Sequence, residues 1–341
     1  MRLLRRDKAN GRVMFESFLR HTKLLAGPMP ATQARLEGTL KGSTTAIRAM
    51  YTGSGATLPF LADVLFSSYD QQFSSRTSGL DHIEERGWDL ILIERPPLWS
   101  AFDVAPADIR IPAWISQSID LSAIASNQNS PLHRKRRRDL ERIMRRSSYT
   151  IDLSVSIADM RRFFHEMYRP YVQARFARQA ILVSEEAFLS RARTRQLARL
   201  WSHGQWIAGM LLERTAGALR FGWFGACHAP PPPGASEALD ALIMQWAAGQ
   251  GIRRVVLGHS RPSLIDGTLR YKRRIGAQIS ATRFPQPQIA IRITRCNDAL
   301  VNRLDAASLI RIRGGQVLVH RANPRTKESG FQLEPIDDAR S

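Results

Sequence analysis

The sequence predicts an α/β protein: a mixed sheet flanked by helices over residues 131–285, preceded by a smaller α/β unit over 45–130. Three observations carry this. From 197 to 284, apolar runs and turn signals follow the order strand, strand, strand, helix, strand, helix, strand, an antiparallel meander leading into a strand–helix–strand crossover. A shorter alternation of strand-like and helical segments occupies 45–125. The chain has 341 residues, more than one ordinary domain, and its 43% of hydrophobic residues suffices for packed cores.

Residues 1–44 read as a basic, partly helical leader containing the breaker cluster Gly27-Pro28-Met29-Pro30. Thr45–Tyr51 has strand character, Leu58–Phe66 reads as a short helix, and Asp89–Ile93 as a buried strand stopped by Pro96-Pro97. Ser126–Pro131 has the composition of a linker. The run from His133 to Arg146 predicts a strongly basic helix with a narrow apolar stripe at Leu140, Ile143 and Met144. In the next helix Ile157, Met160, Phe163, Phe164, Met167 and Tyr168 recur at core spacing, and Pro170 is expected to end or kink it. Ser184 is a good N-cap, with Glu185 and Glu186 favoured by the helix dipole.

The meander starts with Leu197–Ser202 and Gln205–Glu213, joined at the tight-turn signal His203-Gly204. Ala218–Ala226 follows a turn at Ala216-Gly217, and Pro230 to Pro233 stiffen its exit. Gly234-Ala235-Ser236 then opens a helix with Leu239, Leu242, Ile243, Trp246 and Ala247 on one face and Gly251 at its end. Arg254–Leu257 reads as a short buried strand with Gly258 and His259 at its carboxyl end. A helix from Thr268 and a strand at Gln278–Phe284 complete the pattern, leaving 286–341 as a C-terminal extension of two short strands or loops and a frayed end.

Fifty Lys and Arg against 30 acids give a formal net charge of +20. Such a surplus points to an anionic partner: nucleic acid, a phosphorylated or carboxylated small molecule, or an acidic membrane surface. Only six of the 50 are Lys, and a bias to Arg also follows from a GC-rich genome. The 133–146 segment concentrates the charge and reads as a solvated helix face, as a groove for phosphates with Arg137 among its contacts, or as a nucleic-acid contact. Cys227 and Cys296 build no disulfide framework and fall in no metal-ligand spacing, which favours a reducing compartment. Glu16, Arg20 and Lys23 interrupt the apolar stretch Val13–Leu25, and no 18-residue apolar run occurs. A soluble, cytoplasmic protein is expected, with peripheral attachment to acidic membrane through the basic N-terminal helix as a further reading.

The crossover puts the start of the 236–249 helix at the carboxyl end of Ala218–Ala226. Backbone N–H groups of Gly234, Ala235 and Ser236 there suit an anion; alternatively Ser236 merely caps the helix, and Glu237 competes for the same dipole. Beyond it, Ser260–Ala277 (SRPSLIDGTLRYKRRIGA) resembles the closing motif of Fem-like proteins, a branch of the GNAT acyltransferase superfamily. In that motif Asp-Gly precedes an aromatic-Lys-x-x-aromatic/aliphatic-Gly pattern, here Asp266-Gly267 and Tyr271-Lys272-Arg273-Arg274-Ile275-Gly276. Val255-Val256-Leu257-Gly258 resembles the family's short strand ending in Gly, Trp206-Ile207-Ala208-Gly209 its strand with a small-residue pair, and Phe224-Gly225-Ala226 its acceptor-side strand. The resemblance extends weakly to 45–130, which would then be a degenerate first GNAT-like unit, since Fem-like proteins commonly pair two.

The resemblance implies transfer of an acyl group from acyl-CoA, a co-substrate rather than a resident cofactor, to an amine or hydroxyl. The acceptor would be a small metabolite or an anionic cell-envelope or polysaccharide precursor, and no metal is implied. A same-class alternative is aminoacyl-tRNA-dependent transfer of the peptidoglycan-bridge type, although no heptad run marks the coiled-coil arm such enzymes often insert. A different-class alternative is a non-catalytic nucleic-acid-binding protein. The resemblance also implies a donor lying in a splay between two parallel strands, its pyrophosphate on a helix N-terminus and its thioester carbonyl polarised by a strand N–H. The superfamily's usual Arg/Gln-x-x-Gly-x-Gly/Ala loop is absent, and Pro233-Gly234-Ala235-Ser236 stands in its place.

By the motif, Lys272 lies near the reacting centre as a fixed cation for an oxyanion or a phosphate; otherwise it is a surface Lys. Arg270, Arg273 and Arg274 read as phosphate contacts or plain surface, and Tyr271 and His228 as substrate contacts. His259, at a strand end where α/β sheets display functional groups, could deprotonate the nucleophile or be a structural His. Asp266 orients His259, binds an acceptor amine, or caps the helix near Thr268, the last being the reading local sequence favours. Cys227 reads as a small core residue.

Overall fold

The computed structural model describes residues 32–74, 87–95, 109–122, 134–177, 180, 182–280, 286–313, 316–322 and 331–335, with the side chains of 134–137, 139 and 140 left aside. The chain opens with β1 (Thr32–Leu40), β2 (Ala46–Gly53), α1 (Leu58–Leu65), β3 (Phe66–Ser74), β4 (Leu90–Arg95), β5 (Ile109–Pro112) and β6 (Ile115–Asp120). There follow α2 (Arg134–Arg146), β7 (Thr150–Ser154), α3 (Ile157–Phe163), a π turn (Phe164–Tyr168), α4 (Arg169–Phe176) and α5 (Glu185–Ala192). Next come β8 (Gln196–Ser202), β9 (Gln205–Thr215), β10 (Ala218–Ala226), α6 (Ala235–Gly249), β11 (Arg254–Ser260), α7 (Gly267–Arg274) and β12 (Gln278–Ser280). The described chain closes with β13 (Gln288–Ile293), α8 (Asp298–Ala306), β14 (Ile310–Arg313), β15 (Gln316–Ala322) and β16 (Phe331–Pro335).

Two compact units result, the first drawn from Met1–Trp114, Pro262–Leu264 and Ala281–Asp338, the second from Ile115–Arg261, Ile265–Ser280 and Ala339–Ser341. Both have the expected class, mixed sheets flanked by helices. The boundaries differ from those drawn along the sequence. β1, with Leu36 and Leu40 fully buried, lies inside the stretch read as a leader. β6 joins the sheet of the second unit, and β13 returns from the supposed C-terminal extension to sit between β4 and β5. The reason is physical: a strand's sheet partners are chosen by long-range pairing, which leaves no mark in its own residues. Residues 1–31 of the expected leader and the 126–131 linker lie outside the described residues.

The first unit's larger sheet runs β3-β1-β2-β4-β13-β5, all antiparallel neighbours except β2 and β4, and β14, β15 and β16 form a smaller antiparallel sheet. Pro59, in the first turn of α1 where its missing N–H has no intrahelical role, helps start that helix. Leu61 and Leu65 of α1 join Leu36, Tyr51, Leu92 and Ile291 in one core.

The second unit's seven strands run β12-β6-β11-β10-β9-β8-β7, antiparallel everywhere except between β10 and β11. The β8–β9 turn has His203 at φ 47° and Gly204 at φ 77°, the two left-handed residues such a hairpin needs. Ser184 caps α5 as expected, accepting from the Ala187 N–H at 3.2 Å. Pro170 does not end its helix. The chain widens into the π turn before it, where the Arg169 N–H reaches back to Phe164 O, and continues helical to Phe176. This helix lies hard against the sheet. Gly209 and Gly225 are paired across β9 and β10, and a Cβ on Gly225 would come within 2.6 Å of the Tyr168 backbone. Of the glycines in the sequence resemblance, Gly225 is thus explained by close backbone packing and Gly209 by the Phe163 ring, 2.9 Å from where its Cβ would stand. Among the described residues no helix is long and apolar enough to cross a membrane.

Candidate functional site

β10 and β11 run side by side for three residue pairs, Ala218↔Arg254 to Arg220↔Val256. β10 then continues to Ala226 against β9, and β11 to Ser260 against β6. Among the described residues no ladder joins Phe221–Ala226 to Leu257–Ser260, so the parallel pair parts. Each strand has an irregularity where this happens: β10 between Phe221 and Phe224, β11 between Val256 and His259. Gly258, at φ 62°, lies in the second of these. Bulges bend and twist a strand, and here they coincide with the end of the β10–β11 ladder.

α6 starts at that same end of β10. Its N-cap is Gly234 at φ 76°, with no side-chain cap, and Ile143 of α2 lies 2.7 Å from where a Gly234 Cβ would stand. Ser236 is therefore inside the first turn rather than the cap. Ala235 is fully buried and its N–H donates to Pro232 O at 3.0 Å, which removes one of the three donors expected to face an anion. The first intrahelical bond runs from the Ala238 N–H to Gly234 O at 2.8 Å. His228 is exposed in the loop from β10 to α6. Cys227 is also exposed, not a core residue, because its N–H extends the β10 edge to Ile207 O. The side chain of Arg137 lies outside the described residues, while Arg138, Arg142, Arg145 and Arg146 of the same helix are exposed.

At the end of β11 stands a buried polar group. Lys272, on α7, is 8% exposed, and its Nζ donates to His259 O at 3.0 Å and to Ser260 Oγ at 3.1 Å. The Ser260 hydroxyl donates onward to Gln117 Oε1 at 2.9 Å, and Gln117 Nε2 approaches Leu269 O of α7 at 3.5 Å. Burial pushes Lys272 down to about 8, against the opposing charges of Asp266 and Asp240. Asp266 is the N-cap of α7, accepting from the Leu269 N–H at 2.7 Å, as the local sequence favours; burial raises its pKa against that bond. The His259 imidazole is exposed at its edge, and partial desolvation, then the Lys272 and Arg220 charges, lower its pKa, so it is neutral near pH 7.

Lys272, His259, Asp266 and Tyr271 thus share one neighbourhood around α7 and the end of β11. Gly234, Ala235, Ser236 and His228 lie at the same sheet end, on the path from β10 into α6. Arg270 is exposed and Arg273 half-buried on α7.

Three members of the polar group have no role in the sequence reading: Asp240, Gln117 and Ser260. Asp240 is buried on α6, and its Oδ2 accepts from the Tyr271 hydroxyl at 2.7 Å. Burial pushes it up to about 7 against that hydrogen bond. A signal existed, since Asp240 falls on the apolar stripe with Ile243, Met244 and Ala247, where an acid is out of place. Gln117 sits in a short alternating strand and carries no such mark.

No protein-family model and no curated protein matches the chain. Solved structures do. L-PGS from Bacillus licheniformis is similar at 17% identity over 83% of this chain and 91% of that one, with a TM-score of 0.41. FemX is similar at 10% identity over 79% and 85%, also at 0.41. A GCN5-related N-acetyltransferase from Sphaerobacter thermophilus is similar at 17% identity over 61% of each chain, at 0.33.

Proposed function

We propose that the second unit is an acyltransferase of the GNAT kind, in its Fem-like branch, moving an acyl group from acyl-CoA to an amine or hydroxyl. The observation that carries this reading is the parting of β10 and β11 after Arg220↔Val256, with the start of α6 and His259 at the opened end. A thioester laid in that gap meets strand N–H groups, and its pyrophosphate meets the first turn of α6, where Ser236 and its neighbours offer backbone donors and a favourable dipole.

The acceptor nitrogen or oxygen attacks the thioester carbonyl carbon, the new C–N or C–O bond forms, and the C–S bond breaks. Neutral His259 takes the acceptor's proton and returns it to the departing thiolate. Lys272 acts beneath it as a positioning residue: its ammonium holds the β11 backbone at His259 and lowers the imidazole's proton affinity. Calorimetry with acetyl-CoA and longer acyl-CoAs tests the donor. Saturable binding that raises the melting temperature by mass action supports the reading, and no binding of any acyl-CoA overturns it.

A second reading has its own observation. α2 presents Arg138, Arg142, Arg145 and Arg146 to solvent while Ile143 packs on Gly234 at the start of α6. A donor or partner with a long phosphate backbone, such as an aminoacyl-tRNA, suits that face. Uncharged tRNA would then bind with a steep salt dependence, and replacing Arg138 and Arg142 by Gln would make the slope shallower by about two counterions. Identical slopes for both proteins return the face to solvent.

A further inference from the structure

We infer that Asp240 and Tyr271 are positioning residues for Lys272: they tie α7 to α6 and supply the buried ammonium with a carboxylate, so that it meets the end of β11. The consequence for turnover rests on the function proposed above; the geometry does not.

Two adjacent residues of one turn of α7 reach in different directions. The Tyr271 hydroxyl donates to Asp240 Oδ2 in α6 at 2.7 Å, while Lys272 Nζ donates to His259 O and Ser260 Oγ at the end of β11 at 3.0 and 3.1 Å. The buried apolar residues of this segment, Leu269 and Ile275, pack without direction. Buried hydrogen bonds are directional and costly to leave unmade, so this pair sets both the rotation and the height of α7. Asp240 stands where an apolar side chain would complete the stripe of α6, and a buried carboxyl is tolerated there only with a partner. The ionisable groups around the ammonium come from three elements: Asp266 from α7 itself, Asp240 from α6, and His259 from β11. Asp240 in turn feels Tyr271, Glu237 on its own helix, and Lys272. Burial pushes Asp240 up and Lys272 down, and the opposite charge of each works against that shift in the other.

The chain has only six Lys, so lysine-selective isotope labelling isolates the Lys272 ammonium in an NMR titration, with Lys272→Arg giving the assignment. Wild-type Lys272 is expected to titrate well below the ordinary lysine range. Asp240→Asn keeps an oxygen for the Tyr271 hydroxyl and removes the charge, so the Lys272 midpoint should fall by roughly a further unit. Tyr271→Phe keeps the ring, raises the proton affinity of Asp240 and should also lower the Lys272 midpoint. A purely structural role would lower the melting temperature of either variant and leave the midpoint in place, and that result overturns the inference. So does a wild-type Lys272 that titrates near 10.4, the ordinary value for a lysine, a measurement that needs no variant to fold. If acyl-CoA fails to bind while these shifts appear, the proposed function falls and the pairing stands.

Discussion

In the first unit β1 and β2 pair antiparallel, α1 follows, and β4 lies parallel to β2; in the second, β9 and β10 pair antiparallel, α6 follows, and β11 lies parallel to β10. The plan is shared and the carboxyl ends differ. Beyond β2 and β4 the end is sealed by the chain itself. Glu94, 5% exposed, accepts from the hydroxyls of Tyr51 at 2.6 Å, Ser54 at 2.9 Å and Thr57 at 3.0 Å. Thr57 is the N-cap of α1, so the anion that a helix start attracts is here the protein's own carboxylate. Burial, and then the Glu94 charge, raise the Tyr51 pKa far above its ordinary range, which keeps it a donor at any working pH. Gly53 confirms the tightness, since a Cβ there would come within 2.5 Å of the Glu94 side chain. Beyond β10 and β11, by contrast, the strands part, and the end of β11 carries His259 over a buried Lys272. The same element can serve as a self-filled structural joint or as a place for a ligand, and the residues at its open end decide which.

The contrast breaks most sharply at Lys272. Lys272→Met keeps most of the stem and removes the charge, and turnover of acetyl-CoA, read as thiol release, is expected to fall on the order of 100- to 1000-fold with donor affinity little changed. A loss confined to KM would make the ammonium a donor contact instead. The sealed end should respond in stability rather than binding. Glu94→Ala leaves the Tyr51, Ser54 and Thr57 hydroxyls without their acceptor and should cost about 3 kcal/mol in denaturant unfolding, with acetyl-CoA affinity unchanged in the folded protein. Weaker donor binding in that variant would mean the first unit shares in the site. The smallest effect is expected at the start of α6. Ala235 is buried, so a charge there would test folding; Ser236→Asp instead sets a carboxylate in the first turn and should weaken acetyl-CoA binding about tenfold by calorimetry. An unchanged affinity moves the pyrophosphate elsewhere.

What the sequence revealed follows the range of the forces involved. The His203-Gly204 turn and the Ser184 and Asp266 caps are set by bonds within three residues, and each stands where local chemistry puts it. The order of elements from β8 to β12 was legible for the same reason. The helix α8, capped by Asn297 accepting from the Leu300 N–H at 2.8 Å, was missed, because the polar tail read as short strands or loops. The seating of β6 and β13 was not legible, because each pairs with strands far away in the chain. The site divided along the same line. Lys272 and Asp266 stood out through one short motif and His259 through its place at a strand end, whereas Gln117 enters from β6 and Asp240 from the second turn of α6, and only the folded chain brings them to Ser260 and Tyr271. Glu94 likewise reads as an ordinary acid at the end of a strand until Tyr51, Ser54 and Thr57 surround it.

Hydrogen–deuterium exchange with and without saturating acetyl-CoA tests the central claim most directly, because it reports on both carboxyl ends in one experiment. Exchange should slow in peptides covering Phe221–Glu237 and Leu257–Arg261 and stay unchanged in those covering Ala46–Leu58 and Leu90–Arg95. Protection at the β2 and β4 end, or none at the β10 and β11 end under conditions where acetyl-CoA binds, would contradict the account.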